Sequence, residues 1–291
     1  MSTVAGPLLA VDAPSLLYRA FFALPDSIKG TDGKPVNALL GTANLALREI
    51  EVHQPRAVVL CFGAEAAAYR VELLGSYHAD RPEMPEDLVH QWADAPDFFG
   101  AFGWQVATHE TLEADDLLGT YARLETEAGG TALLFTGDRD MFQCASESVT
   151  VLYARTGGKG AEVVDAAAVE KKYGIGPELV PDFIALRGDP SDGIPGAKGV
   201  GEKTAAELLR KHGSLERVLE AAIAEPRPKL RASLLGSADE LRAYKDIATL
   251  RDGEVERPAD RETDRTGAAA AARKRGMNRL GDRLDPPPAE G

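Results

Sequence analysis

The sequence predicts an α/β protein with a mainly parallel central sheet, helices on both faces, and a mostly helical second part. Two observations carry this. Short apolar runs, P-L-L-A-V at 7–11, A-V-V-L-C-F at 57–62 and T-A-L-L-F at 131–135, alternate with longer amphipathic stretches as far as Tyr153. That is the pattern of strand–helix–strand units. Beyond Tyr153 the apolar residues recur mainly at helical spacing.

The first run ends in Asp12, and a helix is expected over 13–24. In open α/β sheets ligands collect at the carboxyl edge of the strands, which makes Asp12 a site candidate. Capping the following helix is the other role an Asp fills there. A polar loop at 28–35 precedes a helix at 38–52 and the second strand, which ends in Gly63. Helices are expected at 64–74 and 87–102, separated by S-Y-H-A-D-R at 76–81 and a Pro-punctuated segment. A weak strand at 106–108 leads into L-E-A-D-D-L-L-G, where Glu113, Asp115 and Asp116 open a helix running to Glu127. The helix dipole favours acids in a first turn. Leu117 and Leu118 directly behind them bring part of this cluster to the buried side, where it needs a counter-charge.

The third strand ends in T-G-D-R-D. In an extended segment the i, i+2 spacing points Asp138 and Asp140 the same way. A short helix at 141–144, a strand at 149–153, a Gly-rich loop at 154–160 and a helix at 165–173 follow. Further helices are expected at 202–212, 214–224, 229–250 and 268–284, with an irregular charged stretch at 254–266 and a disordered tail at 286–291.

Between 186 and 214 two chemistries adjoin. Asp189 and Asp192 are flanked by Gly188, Pro190, Gly193 and Pro195, residues that favour a turn able to aim both carboxylates one way. Gly196, Gly199 and Gly201 then feed the helix at 202–212, exposing backbone N–H groups and a positive dipole end of the kind that holds phosphate. Lys198 and Lys203 add cationic donors. Asp12, Glu113, Asp115, Asp116, Asp138, Asp140, Asp189 and Asp192 are expected to converge at one end of the sheet. Uncompensated, such a group would raise its own pKa values by mutual repulsion. Hard divalent cations with oxygen ligands are the natural compensation, and Mg²⁺ suits carboxylates with retained waters. Two such ions about 4 Å apart suit phosphodiester hydrolysis.

E-A-D-D at 113–116, T-G-D-R-D at 136–140 and G-D-P-S-D-G-I-P-G-A-K-G-V-G-E-K-T-A at 188–205 resemble the 5′-3′ exonuclease and flap endonuclease family, also found at the N-terminus of bacterial DNA polymerase I. The resemblance runs from about residue 8 to about residue 284. It implies a PIN-like 5′ nuclease domain at 1–180 and a helix–hairpin–helix DNA-binding subdomain at 181–285. It assigns Asp12, Glu113, Asp115 and Asp116 to a first metal, and Asp138, Asp140, Asp189 and Asp192 mainly to a second, the ions being Mg²⁺ or Mn²⁺. The turn Gly196–Gly201 with Lys198, Gly199, Lys203 and Thr204 would grip duplex DNA, with K⁺ bound there. Tyr18, Arg19, Arg70, Tyr77 and Arg81 would face the substrate, which is DNA with 5′ ends or flaps, RNA primers on DNA included.

Two departures stand out. The family's second strand ends in F-D, whereas here it ends in Phe62–Gly63; the arch base has a lysine where this chain has His78, a candidate catalytic residue. On sequence alone, Gly63→Asp should raise activity if metal occupancy limits it. A DNA flap- or junction-binding protein with impaired catalysis is the alternative reading, and a PIN-like ribonuclease is a third, disfavoured by the intact G-A-K-G-V-G-E-K.

Composition sets the remaining expectations. The net charge of −13 counts against nucleic-acid binding unless bound cations reverse the local field. Only Cys61 and Cys144 are present, so no disulfide framework or Cys-based zinc site is indicated. No apolar run reaches the roughly 18–20 residues of a membrane span, and no signal peptide is recognisable. A cytoplasmic monomer without membrane association is expected.

Overall fold

The computed structural model describes residues 6–155 and 160–285. Most of the loop expected at 154–160, and all of the tail expected at 286–291, lie outside the described residues. The chain runs β1 (Leu8–Asp12), α1 (Ala13–Ala23), α2 (Asn37–His53), β2 (Ala57–Phe62), α3 (Ala68–Leu73), α4 (Glu86–Gly100), β3 (Gln105–Thr108), α5 (Ala114–Glu127), β4 (Ala132–Thr136), β5 (Val149–Ala154) and β6 (Ala161–Val164). Eight more helices complete it: α6 (Ala166–Tyr173), α7 (Val180–Arg187), α8 (Glu202–His212), α9 (Leu215–Ala221), α10 (Pro228–Gly236), α11 (Ala238–Ala248), α12 (Arg265–Lys274) and α13 (Asn278–Leu284).

The strands form a 6-stranded sheet in the order β3-β2-β1-β4-β5-β6. All pairs are parallel except β5–β6. From β1 the chain builds outward through β2 and β3, then returns to add β4 on β1's other side. The switch in direction lies at the carboxyl ends of β1 and β4, where ligands bind in open α/β sheets. Register places Asp12 opposite Cys61, and Val11 opposite Phe135.

Period-2 alternation splits the core between the sheet's faces. Leu8 and Ala10 pack with Leu117 of α5, Phe183 of α7 and Leu208 of α8, while Leu9 and Val11 pack with Leu16 of α1, Leu39 of α2 and Phe98 of α4. Ala268, Ala272, Leu280 and Leu284 of α12 and α13 join the second group. The span 181–285 therefore covers both faces: α7 to α11 on one, α12 and α13 on the other.

Four elements differ from expectation. β6 was not foreseen; it pairs antiparallel with β5. The helix expected at 64–74 shrinks to α3, because its leading residues bond elsewhere: Ala64 N donates to Leu112 O at 2.9 Å and Ala67 N to Glu113 Oε1 at 2.8 Å. The helix at 229–250 breaks at Ser237, which ends α10 and starts α11, so that Leu234 and Leu241 both reach the core. The helix at 268–284 breaks near Gly276, whose φ of +80° and close approach to Gly30 and Thr31 favour glycine.

The link from α11 to α12 crosses the molecule and is pinned by a buried ion cluster. Arg56 and Arg257 both grip Glu125, with Arg257 Nε donating to Oε2 at 2.9 Å, and Arg56 Nη1 donates to Pro258 O at 2.8 Å. No helix among the described residues is long and apolar enough to cross a membrane. Glu125→Ala removes the carboxylate that both arginines share, leaving Arg56 with Asp260 and the half-exposed Arg257 with solvent, and should cost roughly 1–3 kcal/mol. Denaturant unfolding checks this; a loss below about 1 kcal/mol would show that the cluster does not anchor the link.

Candidate active site

Strand ends and helix starts bring the acids together at the switch point. Asp12 ends β1 and is 4% exposed. One oxygen accepts from Ser15 N at 3.0 Å and caps α1; the other accepts from Thr136 Oγ1 at 2.6 Å. Asp12 thus caps α1 from its place at the carboxyl edge of the sheet. Past β4 the chain turns tightly: Asp138 N donates to Thr136 Oγ1 at 2.9 Å, and Asp140 N donates to Asp138 Oδ1 at 2.9 Å. Asp189 and Asp192 lie in a turn closed by reciprocal 2.8 Å backbone bonds between Asp189 and Ile194. Asp189 accepts from Arg187 Nη2 at 2.9 Å, whereas Asp192 accepts from Arg81 Nη2 at 3.2 Å and lies 3.1 Å from His78 Nε2.

The charges sense one another. Burial, then Asp138 and Asp12, push Asp115 well above the usual carboxylate range. Burial with Asp192, Asp12 and Asp189 pushes Asp138 up to about 7, against the backbone bond from Asp140. Asp140 is likewise raised well above by burial, Asp138, Asp192 and Asp189. Burial raises Asp12 as well, partly offset by Thr136, Ser15, Arg19 and Arg81. Asp192 goes the other way: burial pushes it up, but His78, Arg81 and Arg70 outweigh that and lower it. Asp12, Asp115, Asp138, Asp140, Asp189 and Asp192 thus form one electrostatic unit.

Glu113 and Asp116 are placed differently. Asp116 is 0% exposed. It accepts from Arg70 Nη2 at 2.9 Å, Arg251 N at 2.9 Å and Glu113 N at 3.1 Å. Glu113 pairs with Arg70 Nη1 at 3.0 Å and accepts from Tyr77 OH at 3.1 Å. These two acids share one counter-charge, the Arg70 guanidinium. Arg70 is 3% exposed and Tyr77 6%, so neither faces a substrate as expected. They brace the α5 turn that presents Asp115.

Asp12, Asp115 and Asp138 line one end of a cleft of about 1610 Å³, together with Tyr18, Arg19 and Arg81. Arg19 lies against Gly137, where a Cβ would meet its Nη2 at 2.5 Å. Its buried Nε has no hydrogen-bond partner among the described residues. The glycine turn abuts the acids: a Cβ on Gly196 would overlap Gly188 N. Gly199, Gly201, Lys198 and Lys203 are exposed there, with Thr204 half-buried in the first turn of α8.

The oxygen-only donor set fits hard divalent cations. Among the described residues, no three His, Cys, Asp or Glu side chains are arranged to hold an ion by direct ligation alone. Sequence reasoning gave no role to Thr136, Ser15, Arg187 or Arg251. Thr136 opens the T-G-D-R-D motif and Arg187 precedes Asp189 by two, which are local signals; the partnership of Arg251 with Asp116 has none.

Residues 7–174 match the family described as 5′-3′ exonuclease, N-terminal resolvase-like domain, and residues 175–267 match the 5′-3′ exonuclease C-terminal SAM fold. This chain belongs to the 5′-3′ exonuclease family. The family is one of nuclease enzymes, and relatives agree. A Streptomyces coelicolor 5′-3′ exonuclease is 38% identical over 236 residues, covering 76% of this chain and 77% of that protein. Pseudomonas aeruginosa DNA polymerase I is 42% identical over 219 residues, 75% of this chain but only 23% of the polymerase. The chain thus spans about a quarter of that relative's length. Among solved structures, the T5 5′-exonuclease with zinc bound superposes with a TM-score of 0.67 at 17% identity, covering 96% of each chain. The catalytic core of Rad2 in complex with DNA substrate gives 0.66 at 16% identity, covering 96% of this chain and 92% of that one. At such identities the likeness is one of fold.

Gly63 is not an empty place awaiting an acid. A Cβ there would overlap the backbone of the α5 turn, with Ala114 N and Leu112 O each 2.5 Å away. The turn that carries Glu113 has closed over the position. The gain expected from Gly63→Asp is accordingly reversed: the substitution should lower Tm by several degrees and leave activity no higher. Melting curves with parallel turnover decide it, and a more active variant of unchanged Tm would contradict the packing.

The raised acids also fix a pH dependence. Asp138 titrates at about 7 in the folded chain against 3.8 ordinarily. Between those values the native state keeps a proton that the unfolded state has lost, so cation-free stability falls as pH rises through that window. A divalent ion held by these acids would require their ionised form, so any rise in Tm on adding Mg²⁺ should be larger near pH 8 than near pH 5. A rise equal at both pH values would contradict it.

Proposed function

We propose that this chain is a divalent-metal-dependent 5′-3′ exonuclease and 5′ flap endonuclease that hydrolyses DNA phosphodiesters in replication or repair. The carrying observation is the set of six buried or partly buried acids, Asp12, Asp115, Asp138, Asp140, Asp189 and Asp192, of which Asp12, Asp115 and Asp138 line the cleft, and of which Asp12, Asp115, Asp138 and Asp140 are raised by burial without an ion-pair partner among the described residues. Burying that much like charge is unfavourable unless cations complete it. Asp138, Asp140, Asp189 and Asp192 would hold one Mg²⁺ or Mn²⁺, and Asp12 and Asp115 another, in part through water. When bound, the ions supply positive charge against the phosphate and lower the pKa of a water. Arg19 and Arg81 line the same cleft and orient the phosphate. Lys198, Lys203 and the N–H groups around Gly199 and Gly201 take the DNA backbone at the helix–hairpin–helix turn, with K⁺ as companion. The substrates are DNA 5′ ends and flaps, with RNA primers on DNA included, and the protein acts as a monomer.

A flap-binding protein with impaired catalysis is the second reading. It draws on the closed position at Gly63 and on His78, which turns toward Asp192 instead of into the cleft.

Cleavage of a 5′-flap oligonucleotide across a Mg²⁺ and Mn²⁺ titration tests the proposal. Turnover in the wild type, with Asp140→Ala losing more than about a hundredfold, the equivalent of roughly 3 kcal/mol, supports it. Tight flap binding without cleavage at any metal concentration supports the second reading. Lys203→Ala should weaken binding to all sequences alike and reduce the salt slope by about 1. An unchanged salt slope, measured by fluorescence anisotropy, would remove the turn from the DNA interface.

A further inference from the structure

His78 occupies the place where the resemblance led to the expectation of a cationic group facing the substrate. Its backbone has a φ of +56°, left-handed for a non-glycine residue. Such a conformation is kept where surrounding contacts over-determine it, and it clusters at functional sites. Those contacts are specific. The ring stacks on Tyr77 with centroids 3.8 Å apart. Nδ1 lies 3.1 Å from the Glu65 carbonyl oxygen, within hydrogen-bond distance. That bond fixes the ring plane and presents Nε2 to Asp192 Oδ1 at 3.1 Å. The side chain is 4% exposed, so it does not extend into the cleft.

The backbones dock as well. His78 N donates to Asp192 O at 3.4 Å, and Gly193, at φ +73°, lies so close that a Cβ would meet Ser76 O at 2.9 Å. Tyr77, the stacking partner, is itself bonded to Glu113. One continuous path thus runs from Glu113 through Tyr77 and His78 to Asp192, tying the α5 turn to the 189–194 turn. Each end carries carboxylates of the acid set.

We infer that His78 is a positioning residue, a staple that fixes the Asp192 carboxylate within the acid set and sets the spacing between the α5 turn and the 189–194 turn. It does not contact the scissile phosphate. Arg81, the second partner of Asp192, is half-exposed and lines the cleft, so the two partners divide the work: His78 holds the acid while Arg81 meets substrate. The inference rests on the proposed metal-dependent nuclease activity and adds to it a group that orients a ligand from behind, as partners of metal-holding side chains do.

The test uses the full chain and His78→Asn. Asparagine tolerates the left-handed backbone but is too short to span from the Glu65 carbonyl to Asp192. Two quantities are measured: Mn²⁺ binding without DNA, from the free-ion electron paramagnetic resonance signal, and steady-state cleavage of a 5′-flap. The expected result is a roughly 10–100-fold weaker Mn²⁺ affinity and a matching fall in kcat, with KM for DNA unchanged. In an Asp192→Asn background His78→Asn should add little further loss of Mn²⁺ affinity, because the group it positions is gone. A raised KM with Mn²⁺ affinity intact would make His78 a substrate contact and overturn the inference. So would a lowered Tm with both measured quantities unchanged, or fully additive losses in the double variant. A wild type that neither binds Mn²⁺ nor cuts would overturn the activity itself; a wild type that does both beside an unaltered His78→Asn overturns the staple alone.

Discussion

Like charge buried at the carboxyl edge of a parallel sheet is the constraint around which this molecule is arranged. Burial removes water from Asp12, Asp115, Asp138 and Asp140, and their mutual repulsion adds to the penalty. Such a group persists in a folded protein only if protons or cations neutralise it. Part of the surrounding structure limits the penalty. Thr136, Ser15 N and the N–H of Asp140 each donate to one of these carboxylates, and the short turn after β4 supplies the last of them without any distant partner.

The eight acids divide into two kinds by what stands behind them. Glu113 and Asp116 share Arg70, with Tyr77 and the backbone of Arg251 completing their bonds. Their hydrogen bonds are met from within the chain, one guanidinium serving both, and they work as a brace. Of the other six, Asp189 pairs with Arg187 and Asp192 with Arg81 and His78, whereas Asp12, Asp115, Asp138 and Asp140 have no ion-pair partner among the described residues. The same brace explains Gly63. The α5 turn is pulled down onto the end of β2 by Arg70, Ala64 and Ala67, and nothing larger than hydrogen fits beneath it.

Much of the scaffold could be read from residues alone. The three short apolar runs became β1, β2 and β4, and the acids that follow β1 and β4 lie at the switch point because strand order, not local sequence, puts β1 beside β4. What could not be read depended on distant partners. Nothing near Arg70 says that it will be buried against Glu113 and Asp116, since isolated E-A-D-D and Y-R dipeptides are equally at home on a surface. The helix breaks at Ser237 and Gly276 arise because one straight helix could not bury both of its apolar ends. His78 carries no sequence signal for a left-handed backbone; only its docking on the 189–194 turn explains it.

The proposed activity requires that divalent ions complete the set of six carboxylates. Anomalous scattering from crystals of this chain grown with Mn²⁺ addresses it without reference to turnover. The account predicts manganese peaks enclosed by Asp12, Asp115, Asp138, Asp140, Asp189 and Asp192, with water between ion and part of the carboxylates. Peaks confined to surface acids, with the cluster empty of manganese at saturating concentration and pH above the Asp138 titration, would contradict it.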